Sequence, residues 1–299
     1  MLDYPSLFAL VAVVREGSFE RAARALHVTP SAVSQRIRLL EERVGCALVT
    51  RGQPCQATEA GRLLCQHGDR VRLLEHELQQ AMPAVAQEGP ARAHVPVAVN
   101  ADSLATWWVP AMVEFSGQTP ALLQIAVDDE GHTAQWLRSG QVLGAVTASE
   151  QPAAGCNSLS LGAMRYVAAA SPAFIARHFK HGVDAASLAE APSLMFNTKD
   201  GLQQRWVERQ CGHRIEMPRH TVPSAQAFVL AAVGGMGWAM HPEALVREHL
   251  ASGQLVELKP GTALDVPLYW QQTRMAFTLL DELTRAVVAT AKVGLVQAA

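Results

Sequence analysis

Between Ser18 and Val44 the chain carries two short amphipathic helical patterns separated by little more than a tight turn. That spacing makes them cross rather than continue as one rod. Ser18 suits the N-cap of the first, and Phe19, Ala22, Ala23 and Leu26 fall on one face. Arg21 occupies its third position, so no capping box forms. Ala22 and Ala23 are small enough to let a crossing helix approach closely. His27 and Val28 make the turn, Thr29 suits the N-cap of the second helix and Pro30 its first position. This helix runs to about Val44, with an apolar stripe of Val33, Ile37, Leu40 and Val44. Upstream, Leu7, Leu10, Val11 and Val14 predict another helix, stopped by Gly17.

The face opposite the stripe carries Ser31, Ser34, Gln35 and Arg38, with Arg36 at its flank. A helix entering the major groove needs short polar groups near base edges and longer cations toward the phosphates. An ordinary solvated helix face fits the same residues. Next, Ala47–Arg51 reads as a strand, Gly52-Gln53-Pro54 as a turn and Cys55–Ala57 as the return. Such a hairpin is a wing, with Arg51 near the sugar-phosphate backbone. The formal net charge is −2, so any nucleic-acid contact comes from a local patch. Residues 1–62 hold eight arginines against six acids, an excess that predicts modest, salt-sensitive affinity for DNA.

The run FERAARALHVTPSAVSQRIRLLEERVGCALVTR resembles the DNA-binding segment of LysR-type regulators. The matching features are Ala22-Ala23, Leu26, Val28, Ser31–Ser34, Ile37, Leu40-Glu41 and Gly45. Val49 departs from the family, which mostly has Phe there as a hydrophobic peg beneath the wing. The resemblance makes Thr29, Ser31, Ser34, Gln35, Arg36, Arg38, Arg51 and Pro54 the candidate DNA contacts in double-stranded DNA recognition.

Thr58 can cap a further helix. Within it Leu64, Val71, Leu78 and Val85 recur every seven residues, with His67, Leu74 and Ala81 as a companion seam. A coiled coil broken near Pro83 fits this pattern; so does a helix packed on its own domain. The resemblance implies a homodimer through this helix and often a tetramer. Residues 87–91 read as a hinge.

From Val95 short apolar runs alternate with helical patterns, predicting a mostly parallel sheet with helices on both faces. The resemblance implies an α+β multi-domain chain: a winged helix-turn-helix (1–58), a long linker helix and hinge (59–90), and a two-lobed α/β effector domain (91–299) like type-2 periplasmic binding proteins. Lobe I would take 94–162 and 266–299, and lobe II 163–265. Ligands of open α/β sheets sit outside the carboxyl ends of strands. Polar groups gather there, with Asn100, Asp102, Ser103, Asp129, Thr147, Asn197 and Ser224 as candidates. Ser103 and Ser224 read as helix N-termini suited to a carboxylate. Asp102 and Asp128–Glu130 suit a cationic group. Together these fit a zwitterionic basic amino acid. Taken singly, the same residues read as caps and a solvated turn. The runs NADSLATWWVPA, VDDEGHT, GAVT and HLASGQLVEL resemble the subgroup of the family that senses lysine and arginine and controls amino-acid exporters. That resemblance implies Asp102, Ser103, Asp129 and Thr147 as effector contacts; positions 197–200 and 223–226 match the subgroup less well, so another metabolite remains an alternative.

Other classes fit less well. The 299 residues are 49% hydrophobic and 17% charged, as in a globular protein. Asp3, Arg15, Glu16 and Arg21 interrupt any secretory pattern, and the apolar stretch 225–240 holds Gln226 and three glycines, so a cytoplasmic protein without membrane partner is expected. The five cysteines are scattered without a CxxC, and read as free thiols rather than a disulfide framework or zinc cage, with a redox switch as the alternative. There is no HExxH, GxSxG or P-loop, and no enzyme activity or cofactor is expected. His178 and His181 on a helix end make a poor metal site, and Gly234–Gly237 is no dinucleotide fingerprint. A solute-binding protein would need an export signal and would leave residues 1–60 without a use. The expected partners are DNA, a small effector and a second copy of the chain, with RNA polymerase a further candidate.

Overall fold

The computed structural model describes residues 2–82, 92–128, 133–275 and 277–297. By internal contacts the chain divides into two compact units, residues 1–94 with 120–122, and residues 95–119 with 123–299.

The first unit opens with three helices, α1 (Tyr4–Glu16), α2 (Phe19–Ala25) and α3 (Pro30–Val44). Asp3 caps α1 by accepting from the Ser6 amide and hydroxyl. Ser18 and Thr29 cap α2 and α3 by accepting from the amides of Arg21 and Ala32. Leu10, Val13, Ala22, Ala23, Val33, Ile37 and Leu40 form a closed core. Each large aliphatic side chain in it contributes roughly 1.5–3 kcal/mol by leaving water. Val44, expected to continue the stripe, is instead 40% exposed. The chain turns back at Gly45, and the buried Leu48 and Val49 complete the core. The Glu41 carboxylate holds this return by accepting from the Leu48 amide at 2.8 Å. Strands β1 (Val49–Thr50) and β2 (Gln56–Ala57) pair antiparallel as the expected hairpin.

Helix α4 (Glu59–Ala81) lies along α1. Thr58 caps it, accepting from the Gly61 amide, and donates its own hydroxyl to the Ala47 carbonyl. Gly68 permits the close approach: a Cβ there would lie 2.7 Å from Val11 Cγ2. Leu64 packs on the head core and Val71 is buried, so part of the heptad pattern serves the chain's own domain. Leu63, Leu74, Leu78 and Met82 stay exposed, while Val85 lies outside the described residues. Arg15 of α1 and Asp69 of α4 pair at 2.8 Å.

The second unit continues with β3 (His94–Asn100), α5 (Ala101–Thr106), α6 (Trp108–Gln118), β4 (Leu122–Asp128), α7 (Thr133–Arg138) and β5 (Gly144–Thr147). Then come β6 (Cys156–Ala170), α8 (Pro172–His178), α9 (Ala185–Glu190), β7 (Ser193–Met195), α10 (Leu202–Cys211), β8 (Arg219–Thr221) and α11 (Ala225–Val233). The chain closes with β9 (Ala239–Pro242), α12 (Glu243–Ala251), β10 (Val256–Glu257), β11 (Leu264–Thr273) and α13 (Thr278–Gly294). Seven strands form one sheet in the order β10-β6-β11-β5-β3-β4, with β9 also on β6. The expected mostly parallel sheet is mixed. β3 and β5 are parallel, whereas β11 runs antiparallel to both β5 and β6, and β9 and β10 run antiparallel to β6. The reason is that β6 and β11 are long crossovers carrying the chain between two lobes and back. Their register shifts between Leu268 and Tyr269, a bulge opposite Leu161. Gly162 follows at φ 112°, where a Cβ would meet the Val296 carbonyl oxygen at 2.7 Å. Among the described residues no helix is long and apolar enough to cross a membrane.

Candidate functional site

Two surfaces carry the polar candidates. On α3, Ser31, Gln35 and Arg38 are exposed at i, i+4 and i+7, hence on one face. Ser34 and Arg36 are half-buried at its edges. Arg36 lies toward Asp3, whose carboxyl is held below its usual range first by the Ser6 hydrogen bonds and then by Arg36 and Arg43. The Thr29 hydroxyl is engaged as cap and sits 3.0 Å from the Ser31 hydroxyl. Arg38 Nε donates to Glu42 at 2.8 Å, an exposed pair of small worth that phosphate can replace. On the wing, Arg51 and Pro54 are exposed. Arg51 lies over the Phe19 ring at 5.5 Å, and the Cys55 amide donates to the Gly17 carbonyl, so the wing rests on the α1–α2 turn. A convex polar rod beside an arginine-bearing hairpin matches the shape of a major groove flanked by phosphates.

The second surface is concave. A cavity of about 280 Å³ opens between the two lobes, near the lower end of pockets that enclose small metabolites. Asn100 and Asp102 enter it from the end of β3 and the start of α5. The other lobe contributes Phe196, Lys199, Arg205, Phe228 and His241. The Asp102 carboxylate accepts from the buried Tyr166 hydroxyl at 2.7 Å, which orients it. Asp200 also lines the cavity, but its oxygens accept from the Phe196 and Leu202 amides. One wall thus offers an oriented carboxylate and the other two cationic side chains.

The remaining candidates stand back from this cavity. Helix α5 begins at Ala101 with Asn100 at its N-cap, three residues before the Ser103 expected there. Ser103 is fully buried and its hydroxyl accepts from Trp107 Nε1 at 3.0 Å. Thr147 is buried and accepts from the Ser149 amide, while the adjacent Ala148 lines the cavity. Asn197 accepts from the Lys199 amide, between the lining residues Phe196 and Lys199. Ser224 caps α11 as expected, and its neighbour Ala225 lines the cavity. Asp129 lies outside the described residues. The strand-end loops thus border this cavity, but the lining residue is often the neighbour of the one singled out in the sequence.

No sequence signal singles out His241, which directly follows the apolar stretch 225–240. Its ring is fully buried and neither nitrogen has a partner among the described residues. Burial pushes its pKa down to about 3, with His249 adding to the shift, so the ring is neutral at pH 7. Asn100 Oδ1, 1% exposed as a residue, also has no partner among the described residues. Each such group costs roughly 1–3 kcal/mol against a satisfied one. Elsewhere, His178 Nε2 accepts from Arg177 Nε and its ring packs on Phe174. Among the described residues no cluster of His, Cys, Asp and Glu could hold a metal ion. Burial and Asp69 push the Cys65 thiol up to about 12, which suppresses the reactive thiolate.

Known proteins resemble the chain over its whole length. The family described as "Bacterial regulatory helix-turn-helix protein, lysR family" matches residues 6–62, and "LysR substrate binding domain" matches 88–291. The HTH-type transcriptional regulator ArgP of Pseudomonas aeruginosa is 47% identical over 297 residues, 99% of this chain and 98% of the relative. The crystal structure of ArgP from Mycobacterium tuberculosis is 43% identical, covers both chains completely and superposes with a TM-score of 0.78. Full-length LysG of Corynebacterium glutamicum with bound effector Arg is 38% identical over 99% of this chain and all of that one, with a TM-score of 0.67.

Proposed function

Since the chain belongs to the LysR family of bacterial transcriptional regulators, we propose that it reads DNA through α3 and the wing and responds to free lysine or arginine bound between the lobes of its effector domain. It is a DNA-binding regulator and not an enzyme. The observation that carries the effector assignment is the Tyr166-oriented Asp102 carboxylate in a cavity that also holds Lys199 and Arg205. A basic amino acid needs an anion for its side chain and cations for its carboxylate. The LysG relative with bound Arg supports the same ligand class. The exposed Leu63, Leu74, Leu78 and Met82 on α4 support self-association through that helix, which would give two reading heads for one paired site. A regulator acting on chromosomal DNA would work in the cytoplasm, and the family match supports that reading.

Two measurements test this reading. Gln35→Ala will weaken binding to the chain's own upstream duplex by about 1–3 kcal/mol, while Arg38→Ala will weaken all duplexes alike and lower the salt slope by about one. Neither will change the melting temperature, because both side chains are exposed. Wild-type affinity for both Gln35→Ala and Arg38→Ala would remove α3 from recognition. Separately, lysine or arginine at a hundred times its Kd will stabilise the protein by about 2.7 kcal/mol. No thermal shift with either at millimolar concentration, while another metabolite gives one, would replace the effector.

A further inference from the structure

His241 does something that neither the sheet nor the hydrophobic core requires. It sits in β9, paired in register with Val167 of β6, and its ring meets Phe228 edge-on with centroids 5.3 Å apart. It is fully buried, it lines the cavity between the lobes, and both ring nitrogens lack a partner among the described residues. Asn100 enters the same cavity from the other lobe with its Oδ1 in the same condition. Asn100 is also the N-cap residue of α5, yet its side chain makes no capping bond. Buried polar groups are paired in the great majority of cases. Among the described residues Asn100, Trp108, Ser158, Gln203, Trp238 and His241 hold an unpaired buried side-chain atom, and of these Asn100 and His241 line this cavity. Two residues with such groups lining one cavity point to a ligand that completes both.

We infer that His241 and Asn100 hydrogen-bond the bound amino acid across the cavity, and that His241 is a binding residue for the effector rather than part of the fold. This rests on the effector site proposed above. The neutral imidazole offers one N–H donor and one acceptor nitrogen, and Asn100 Oδ1 offers an acceptor. A free α-amino acid carries both complements: ammonium donors and carboxylate acceptors. Because each lobe supplies one of the two groups, a ligand that bonds both draws the lobes together, which is the change a regulator can transmit. Asp102 supplies charge; His241 and Asn100 supply shape-specific hydrogen bonds.

The test follows from the sign of two effects. His241→Phe keeps a planar ring beside Phe228 but removes both nitrogens. Replacing an unpaired polar group by an apolar one of similar shape does not cost folding stability. The full-length variant without effector is therefore expected to melt at the wild-type temperature or above it. Its Kd for lysine and arginine, measured by titration calorimetry, is expected to rise at least about tenfold, and His241→Gln, which keeps a donor and an acceptor, to recover part of the loss. An unchanged Kd in His241→Phe overturns the inference whatever happens to stability. A lowered melting temperature without effector also overturns it, because that marks a structural histidine. If the wild-type chain itself binds neither amino acid, the effector assignment has failed and not this one. The effector-free melting temperature still decides the structural role, and a panel of the twenty amino acids then supplies the ligand for the affinity arm.

Discussion

Asp102→Asn is expected to lose at least about thirty-fold in affinity for lysine and arginine while folding normally. Removing one partner of a desolvated charge pair costs about 2–5 kcal/mol, and each 1.4 kcal/mol is about tenfold. The asparagine substitution separates charge from structure. Its side-chain oxygen can still accept from the Tyr166 hydroxyl, which binds Asp102 at 2.7 Å in the wild type. The loop at the start of α5 therefore keeps its anchor, and only the negative charge leaves the cavity. Neutral amino acids of similar length should be affected far less than lysine. Titration calorimetry on both proteins reads the difference. Equal Kd values for lysine in Asp102→Asn and wild type would show that the effector's cation is held elsewhere.

Gly61→Ala is expected to destabilise the DNA-binding head by at least about 2 kcal/mol, against the direction that helix propensity alone dictates. An alanine in place of a helical glycine normally gains up to about 1 kcal/mol. Here the added Cβ would lie 2.0 Å from the Leu48 carbonyl oxygen and 2.9 Å from its carbon. That carbonyl cannot yield cheaply, because it accepts from the Thr58 amide at 3.0 Å and Leu48 is fully buried in the head core. The overlap must displace either the first turn of α4 or the base of the wing. Operator binding should fall with stability, since the wing belongs to the proposed recognition surface. Thermal denaturation followed by circular dichroism, with limited proteolysis of the head, measures the effect. An equal or higher melting temperature would mean that α4 can shift away from Leu48 without loss.

The helices of the head were legible because their signals are local. Ser18, Thr29 and Thr58 cap the helices that their positions predict, each accepting from the amide three residues on. Ala22, Ala23, Val33, Ile37 and Leu40 all enter the core that their periodicity predicts. The exposed face of α3 followed from the same periodicity, so Ser31, Gln35 and Arg38 were found together. The wing was legible from a strand, a Gly-Gln-Pro turn and a return. In the effector domain the alternation of apolar runs predicted strands but not their directions: β6 runs 15 residues, and its antiparallel partner β11 lies about a hundred positions away.

For this protein the order of amino acids alone determined the helices, their caps and the exposed polar edge of α3, because those depend on neighbours within four residues. Only the folded chain decided that Val44 faces water, that α4 gives half its apolar pattern to α1, and that Asn100, Asp102 and His241 meet in one cavity. The reason is distance along the chain. Asp102 owes its orientation to Tyr166, 64 residues later, and His241 shares its cavity with an asparagine from another lobe. Such meetings follow from how strands cross over and pair, and no local periodicity encodes that.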